Sequence, residues 1–177
     1  MPVSFTVGGA RGIFEDSFAE EVVGVLDNAF GAEGDWDDTT ALHYGELADT
    51  GWSELQRRAV EELGKDWLPN LTALGSAGRG VYLPANVQTA SFPLSVGAAL
   101  KCASLPGLRN ELTELAERWE LPLDDHGLEE LLRVAHDPDD GCVAESPEVL
   151  TFARLALAAN EAMRRDCPLW LMGQASA

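Results

Sequence analysis

The chain has 177 residues, of which 46% are hydrophobic and 24% are charged, an ordinary composition for one globular domain covering residues 1–177. Thirty acidic and twelve basic side chains leave a net charge of −18. Because charge of this sign repels phosphate and anionic lipid, we expect neither nucleic acid nor membrane as a partner, and we expect a basic protein partner instead.

The first part of the chain predicts one strand and two helices. Val3–Val7 is typical of a short strand, and the glycines of Gly8–Gly12 indicate a turn after it. Apolar residues spaced three and four apart predict helices over Asp16–Phe30 and Gly51–Asp66. The second helix ends before Pro69, because proline cannot continue the ladder of hydrogen bonds.

The middle of the chain, residues 67–110, contains three cations but no Asp or Glu, whereas the regions on both sides are acidic. Such a segment is either buried between the acidic flanks or lines a surface that must not repel a ligand. Within it, Val81–Leu83 predicts a short strand, Pro84–Ser91 a loop or frayed helix, and Pro93–Ser104 a helix.

The last third of the chain predicts three more helices. Pro106–Glu120 carries an apolar stripe, Leu128–His136 follows a capping aspartate, and Ser146 is a typical N-cap for a helix over 147–165. This last helix is apolar on several sides, which indicates either a core helix or a homodimer contact. Pro168–Met172 is a terminal strand or an apolar tail. Together the elements predict a mainly helical α+β fold, with five or six helices packed around a small sheet of two to four short strands.

The segment Val7–Ile13 joins a predicted strand to a predicted helix with the sequence VGGARGI. Over this short stretch it is similar to the glycine-rich dinucleotide-binding segment of short-chain dehydrogenases. The resemblance implies a nucleotide cofactor, but Phe14 stands where a packing glycine would lie, and neither tyrosine has a lysine four residues later. We therefore predict a structural turn here and no cofactor.

The best candidate for a protein contact is the acidic segment around Trp36, in which Asp35, Asp37 and Asp38 surround the tryptophan. An exposed tryptophan among carboxylates would anchor a basic surface. The protein would then capture or inhibit its partner, as an immunity protein does with a nuclease toxin. The alternative is that Trp36 folds back onto the core.

An alternative function is that of an enzyme or small-molecule-binding protein with an anion-accepting pocket in residues 67–110. Backbone N–H groups of the glycine-rich turn around Ser76 and Gly78 can hold an anion, and Arg79 can add a charged contact. Tyr82 and Asn86 lie nearby in sequence and supply neutral hydrogen-bonding groups. These residues equally suit a flexible turn and the satisfaction of buried backbone groups.

No pair of nucleophile and base is recognisable in the sequence, which favours a binding protein over an enzyme. Cys102, Cys142 and Cys167 are odd in number and have no metal-ligand spacing, so we expect no metal site. Reduced thiols, no recognisable signal peptide and no long apolar stretch indicate a cytoplasmic protein.

Overall fold

A six-stranded mixed sheet organises the fold. The computed structural model describes residues 3–31, 36, 40–47, 49–75, 79–135 and 146–173. The strands are Val3–Gly8 (β1), Ala41–Leu47 (β2), Arg79–Leu83 (β3), Ala90–Phe92 (β4), Leu100–Ser104 (β5) and Leu169–Gly173 (β6). They lie in the order β2-β1-β6-β3-β5-β4, in which β3 and β5 are parallel and all other neighbours are antiparallel.

Five helices in the described residues pack on this sheet. They are Asp16–Phe30 (α1), Asp49–Leu63 (α2), Leu105–Trp119 (α3), Asp125–Ala135 (α4) and Pro147–Arg165 (α5). The sheet separates two apolar cores, with α2 to α5 covering one face and α1 the other. The alternation of side chains along β3 shows this division, since Tyr82 belongs to the first core and its neighbours Val81 and Leu83 to the second.

The expectation of a small sheet of two to four strands is wrong, because the sheet has six strands. The predicted helix Pro93–Ser104 is also wrong, since Leu100–Ser104 is a buried strand between β3 and β4. A short apolar run fits a buried strand as well as a turn of helix, so periodicity alone misassigned it. The strand β2 and the three-residue strand β4 were missed because neither shows a clear alternation of apolar and polar residues.

The helices follow the sequence pattern more closely than the strands do. The predicted bounds of α1 and α5 are confirmed, and α3 begins and ends within one residue of its predicted bounds. Ser104 caps α3, because its Oγ accepts a hydrogen bond from Gly107 N at 3.0 Å, and Pro106 occupies the first turn.

The helix α5 lies at the centre of the helical layer. Phe152, Leu155 and Ala159 are fully buried in the core that α5 shares with the other helices on this face and with β1. The apolar sides that suggested a dimer contact are therefore covered within the chain, and a homodimer through residues 147–165 stays a prediction. Among the described residues, no helix combines the length and the apolar character that crossing a membrane requires.

Three strands end at one edge of the sheet. β1 and β3 are both antiparallel to β6, and β5 is parallel to β3, so β1, β3 and β5 run in the same direction. Their last residues, Gly8, Leu83 and Ser104, therefore lie along one edge, where β6 begins at Leu169. The carboxyl ends of strands that share a direction are where open sheets commonly bind ligands.

Candidate functional site

A cavity of about 320 Å³ lies at this edge of the sheet, and we call it the edge cavity. The segment that follows β3 forms one wall, and residues at the ends of α1 and α5 and before β2 complete it. Its lining residues are Phe30, Trp36, Pro84, Ala85, Asn86, Val87 and Asp166. The volume is within the range of small-ligand pockets, roughly 300–1,000 Å³.

Trp36 contributes a buried side chain to the lining of the edge cavity. The residue is 3% exposed, and its backbone carbonyl accepts a hydrogen bond from Ala10 N at 2.6 Å. The indole Nε1 is buried, and no residue that the structure describes accepts a hydrogen bond from it. Since buried polar groups nearly always have partners, the unmet donor marks a position for an acceptor.

Gly8 allows the chain to approach closely at this edge. Its φ of +150° lies in the region that favours glycine, and a Cβ at this position would collide with the Thr40 carbonyl. Trp170 Nε1 donates to the Gly8 carbonyl at 2.8 Å, and Gly8 N donates to the Pro168 carbonyl at 3.0 Å. The predicted turn after β1 therefore has a structural reason to contain glycine.

Tight turns fix the wall that follows β3. Ala85 N donates to the Leu83 carbonyl at 2.7 Å, and Val87 N donates to the Ala85 carbonyl at 3.0 Å. Ser104 Oγ, which also caps α3, donates to the same Ala85 carbonyl at 2.9 Å. Asn86 lies between these two anchored neighbours, and its amide can both donate and accept hydrogen bonds.

A buried carboxylate supports Ser104 from inside the core. Glu111 is 6% exposed and accepts hydrogen bonds from Asn70 N, Asn70 Nδ2 and Leu71 N at 2.7 to 2.8 Å. The Oδ1 atom of Asn70 accepts from Ser104 N at 2.9 Å. Burial raises the pKa of Glu111, and its hydrogen bonds to Asn70 and Leu71 oppose that rise.

Asp166 closes the edge cavity from the end of α5. It adopts the left-handed conformation, with φ 53° and ψ 43°, and its backbone N–H donates to the Met163 carbonyl at 3.3 Å. This position after a helix usually holds glycine, so an aspartate here carries a conformational cost. Among the described lining residues, Asp166 carries the one ionisable side chain.

The edge cavity brings together Trp36 and Asn86, which the sequence placed in two different candidate sites. Trp36 folds back onto the core, in agreement with the alternative interpretation of its segment, and is not an exposed anchor. Outside the described residues lie Asp35, Asp37, Asp38, Ser76 and Gly78. Contacts of these residues with a partner or ligand stay predictions.

Arg79 and Tyr82 lie away from the edge cavity. The Arg79 guanidinium packs 4.3 Å from the centre of the Phe18 ring, and its Nη1 donates to the Val96 carbonyl at 3.2 Å. Tyr82 is fully buried, and its hydroxyl donates to the Asn70 carbonyl at 3.3 Å. Burial and the nearby charge of Glu111 raise the pKa of Tyr82 well above its usual value. Both side chains have structural partners, and neither lines the cavity.

Phe30 and Asp166 were missed by the sequence analysis. Phe30 carries no signal, because the last residue of an amphipathic helix is usually read as part of the core. Asp166 could have been noticed, since an aspartate directly follows the two arginines that end α5 and the chain then turns into β6. Neither residue could be assigned to the cavity without knowing the order of the strands.

Other reactive groups in the described residues offer weaker sites. Thr6 Oγ1 and His43 Nδ1 lie 3.1 Å apart, but Thr6 is 2% exposed and cannot meet a substrate. Burial raises the pKa of Cys102 to about 12, so this thiol is not a nucleophile near neutral pH. Among all the residues that the structure describes, no three His, Cys, Asp or Glu side chains are grouped so that they could hold a metal ion.

The function of the chain has to be argued from its own residues. No protein-family model, curated protein or solved structure matches it.

Proposed function

We propose that the protein binds a small nitrogen heterocycle, uncharged or cationic, in the edge cavity. The observation that carries this proposal is the Trp36 indole N–H, which is buried in a cavity-lining residue and lacks an acceptor among the described residues. A ring nitrogen or carbonyl oxygen of the ligand would supply that acceptor once a small rotation of the indole brings the N–H to the cavity wall.

The other lining residues suit the same class of ligand. The aromatic side chains of Phe30 and Trp36 offer flat apolar surfaces on which a ring can pack. The Asn86 amide can pair with a donor and an acceptor on the ring edge, and the Asp166 carboxylate can accept from a ring N–H. Because this carboxylate repels anions, a neutral or cationic ligand fits better than the anion that the acid-free segment suggested.

The direct test is a binding comparison between three ligands and two tryptophan variants. Nicotinamide and 1-methylnicotinamide represent the neutral and cationic heterocycles, each with a carbonyl acceptor, and nicotinate is the anionic counterpart of nicotinamide. We expect calorimetry to detect the first two and not nicotinate. Trp36→Phe, which keeps the ring and removes the N–H, should weaken binding roughly fivefold, since such a hydrogen bond contributes about 1 kcal/mol.

Trp67→Phe is the matched control, because Trp67 is 77% exposed and does not line the edge cavity. It should bind as the unmodified protein does. Equal affinity of Trp36→Phe and Trp67→Phe, or no binding of either heterocycle, would contradict the proposal.

A second candidate function is the capture of a basic protein partner in the cytoplasm. It is favoured by exposed carboxylates that make no ion pair with any described residue. Examples are Glu15 and Asp16 at the start of α1 and Glu114 and Glu117 on α3. Unpaired charge of one sign accelerates association with an oppositely charged partner and makes that association depend on salt.

A pull-down with two baits tests this second function. The unmodified chain should retain a basic protein at low salt and release it at high salt. A variant carrying Asp37→Lys and Asp38→Lys should retain less of the same protein. Equal retention by both baits would remove this segment from the contact, and no salt-dependent partner would refute the electrostatic capture.

A further inference from the structure

A shallow groove that is widely open to solvent lies between the helices α3, α4 and α5, and we call it the helix groove. Its volume is about 500 Å³. Arg109 lines it from the first half of α3, Asp124 and Asp125 from the start of α4, and Asn160 and Arg164 from the end of α5. Met163 and Arg164 near the end of α5 line this groove, whereas Asp166 directly after α5 lines the edge cavity.

Two buried polar atoms of opposite kind are left without partners in the residues that line this groove. Arg109 Nη1 is a donor and Asn160 Oδ1 is an acceptor, and neither has a hydrogen-bond partner among the described residues. The orientation of Asn160 is fixed, because its Nδ2 donates to the Leu123 carbonyl at 3.0 Å and to Asp125 Oδ1 at 2.7 Å. Exchanging its oxygen and nitrogen would therefore lose two hydrogen bonds.

Two of the four charged side chains in the groove form an ion pair with each other, and the other two have no ion-pair partner among the described residues. Arg164 donates to Asp125 Oδ2 at 2.7 Å, so these two side chains neutralise each other. Arg109 and Asp124 form no ion pair with any residue that the structure describes. Asp124 Oδ1 accepts from Gly127 N at 2.9 Å as the cap of α4, and its carboxylate is otherwise exposed. The groove thus presents one unpaired cation and one unpaired anion.

This combination selects for a ligand that carries both charges. A simple anion would pair with Arg109 and meet repulsion from Asp124, whereas a simple cation would do the reverse. A ligand with a carboxylate and an ammonium group can pair the first with the Arg109 guanidinium and the second with the exposed Asp124 carboxylate. The apolar side chains of Leu123 and Met163 also line the groove, and Met163 is 42% exposed.

We propose that the helix groove binds a free α-amino acid with an apolar side chain. Its carboxylate accepts from the Arg109 guanidinium, its ammonium group pairs with the Asp124 carboxylate, and its side chain covers Met163 and Leu123. This site is independent of the heterocycle proposed for the edge cavity, and its failure would leave that proposal untouched.

The test uses L-leucine and L-methionine together with two truncated analogues of leucine. The analogue 4-methylpentanoate lacks the ammonium group, and 3-methylbutylamine lacks the carboxylate. We expect ligand-observed NMR and calorimetry to detect both amino acids at millimolar concentration or below, and each analogue to bind about tenfold more weakly or worse, since each loses one charged hydrogen bond.

Arg109→Gln removes the unpaired cation and should abolish detectable binding of leucine. Arg118→Gln is its control, because Arg118 lies on the same helix, exposed and outside the groove, and should leave binding unchanged. Circular dichroism of both variants checks that they are folded. A groove that only holds water would bind neither amino acid, and this outcome, or equal binding of leucine and its analogues, would overturn the proposal.

Discussion

At the scale of single residues, the unpaired buried atoms lie beside the hollows. Glu111 is buried and has hydrogen bonds to both carboxylate oxygens. In contrast, Trp36 Nε1, Arg109 Nη1 and Asn160 Oδ1 are buried without a partner among the described residues, and all three residues line the edge cavity or the helix groove. The unpaired atoms therefore belong to residues that line the hollows, and a ligand would reach these atoms only with a small shift of the side chains.

Asp166 adopts a left-handed backbone conformation, which lowers the stability of the fold, and it places a carboxylate in the edge cavity. These two properties give a prediction at the residue scale. Asp166→Gly should raise the free energy of unfolding by about 0.5–1 kcal/mol, since glycine adopts this conformation without a steric cost. The same change should weaken binding of 1-methylnicotinamide, because it removes the carboxylate that faces the positive charge. Urea denaturation and calorimetry measure the two effects.

Glu120→Gly is the control for this pair of effects. Glu120 ends α3 in the same conformation, with φ 55° and ψ 39°, and does not line the edge cavity. Its replacement should stabilise the protein and leave ligand binding unchanged. If Asp166→Gly stabilises the protein and also keeps full affinity, the carboxylate has no part in binding.

At the scale of elements, the carboxylate of Glu21 connects α1 to the loop after β4. Glu21 Oε1 and Oε2 accept from Ser95 N and Ser95 Oγ, each at 2.6 Å. The side-chain and backbone hydrogen bonds of Ser95 lower the pKa of Glu21 below 4.5. A carboxyl group whose pKa is lower in the folded state stabilises the fold above its unfolded pKa, and this contribution is lost as the pH falls through the folded value.

Glu21→Gln should therefore be less stable than a control variant at neutral pH, and the difference should shrink as the pH falls below about 4.3 and vanish once the folded-state carboxyl is protonated. The control is Glu114→Gln, which removes one exposed charge that makes no ion pair with a described residue. Thermal denaturation across this pH range measures the difference. A difference that persists undiminished in acid would show that the ionised carboxylate is not what holds the loop.

The helices could be predicted from the sequence because each one buries a long amphipathic stripe. The apolar spacing in Asp16–Phe30 and the cap and proline at the start of α3 are local signals, and both helices form where these signals predict them. The strands depend on distant partners instead. Leu100–Ser104 is a strand because β3 and β4 pair with it, and nothing within its five residues excludes a helix.

For the same reason, the residues of the candidate site could be predicted only in part from the sequence. Trp36 and Asn86 were noticed as residue types suited to contacts, but they are 50 positions apart and meet only because β1, β3 and β5 end at one edge. Asp166 joins them because β6 inserts between β1 and β3. Composition and spacing do not reveal the order of the strands. Single residues could therefore be predicted, but their position around one cavity could not.

At the scale of the whole molecule, the sheet edge and the helical layer give the chain two candidate sites, and residues at the end of α5 line both. The edge cavity has aromatic walls and one carboxylate, whereas the helix groove has an unpaired arginine and an unpaired aspartate. Their different chemistry suits different ligands. The chain has a net charge of −18, which favours the approach of cationic over anionic ligands at long range.

The most direct measurement of the central claim is the indole ¹H–¹⁵N spectrum of the protein during titration with nicotinamide. The indole donors of Trp52, Trp119 and Trp170 already bond the Leu74 carbonyl, Glu62 and the Gly8 carbonyl, and Trp67 is exposed. We predict that the Trp36 indole signal, assigned with Trp36→Phe, shifts as it gains an acceptor while the other four stay in place. A Trp36 signal that does not move while the ligand binds would contradict the proposed role of the edge cavity.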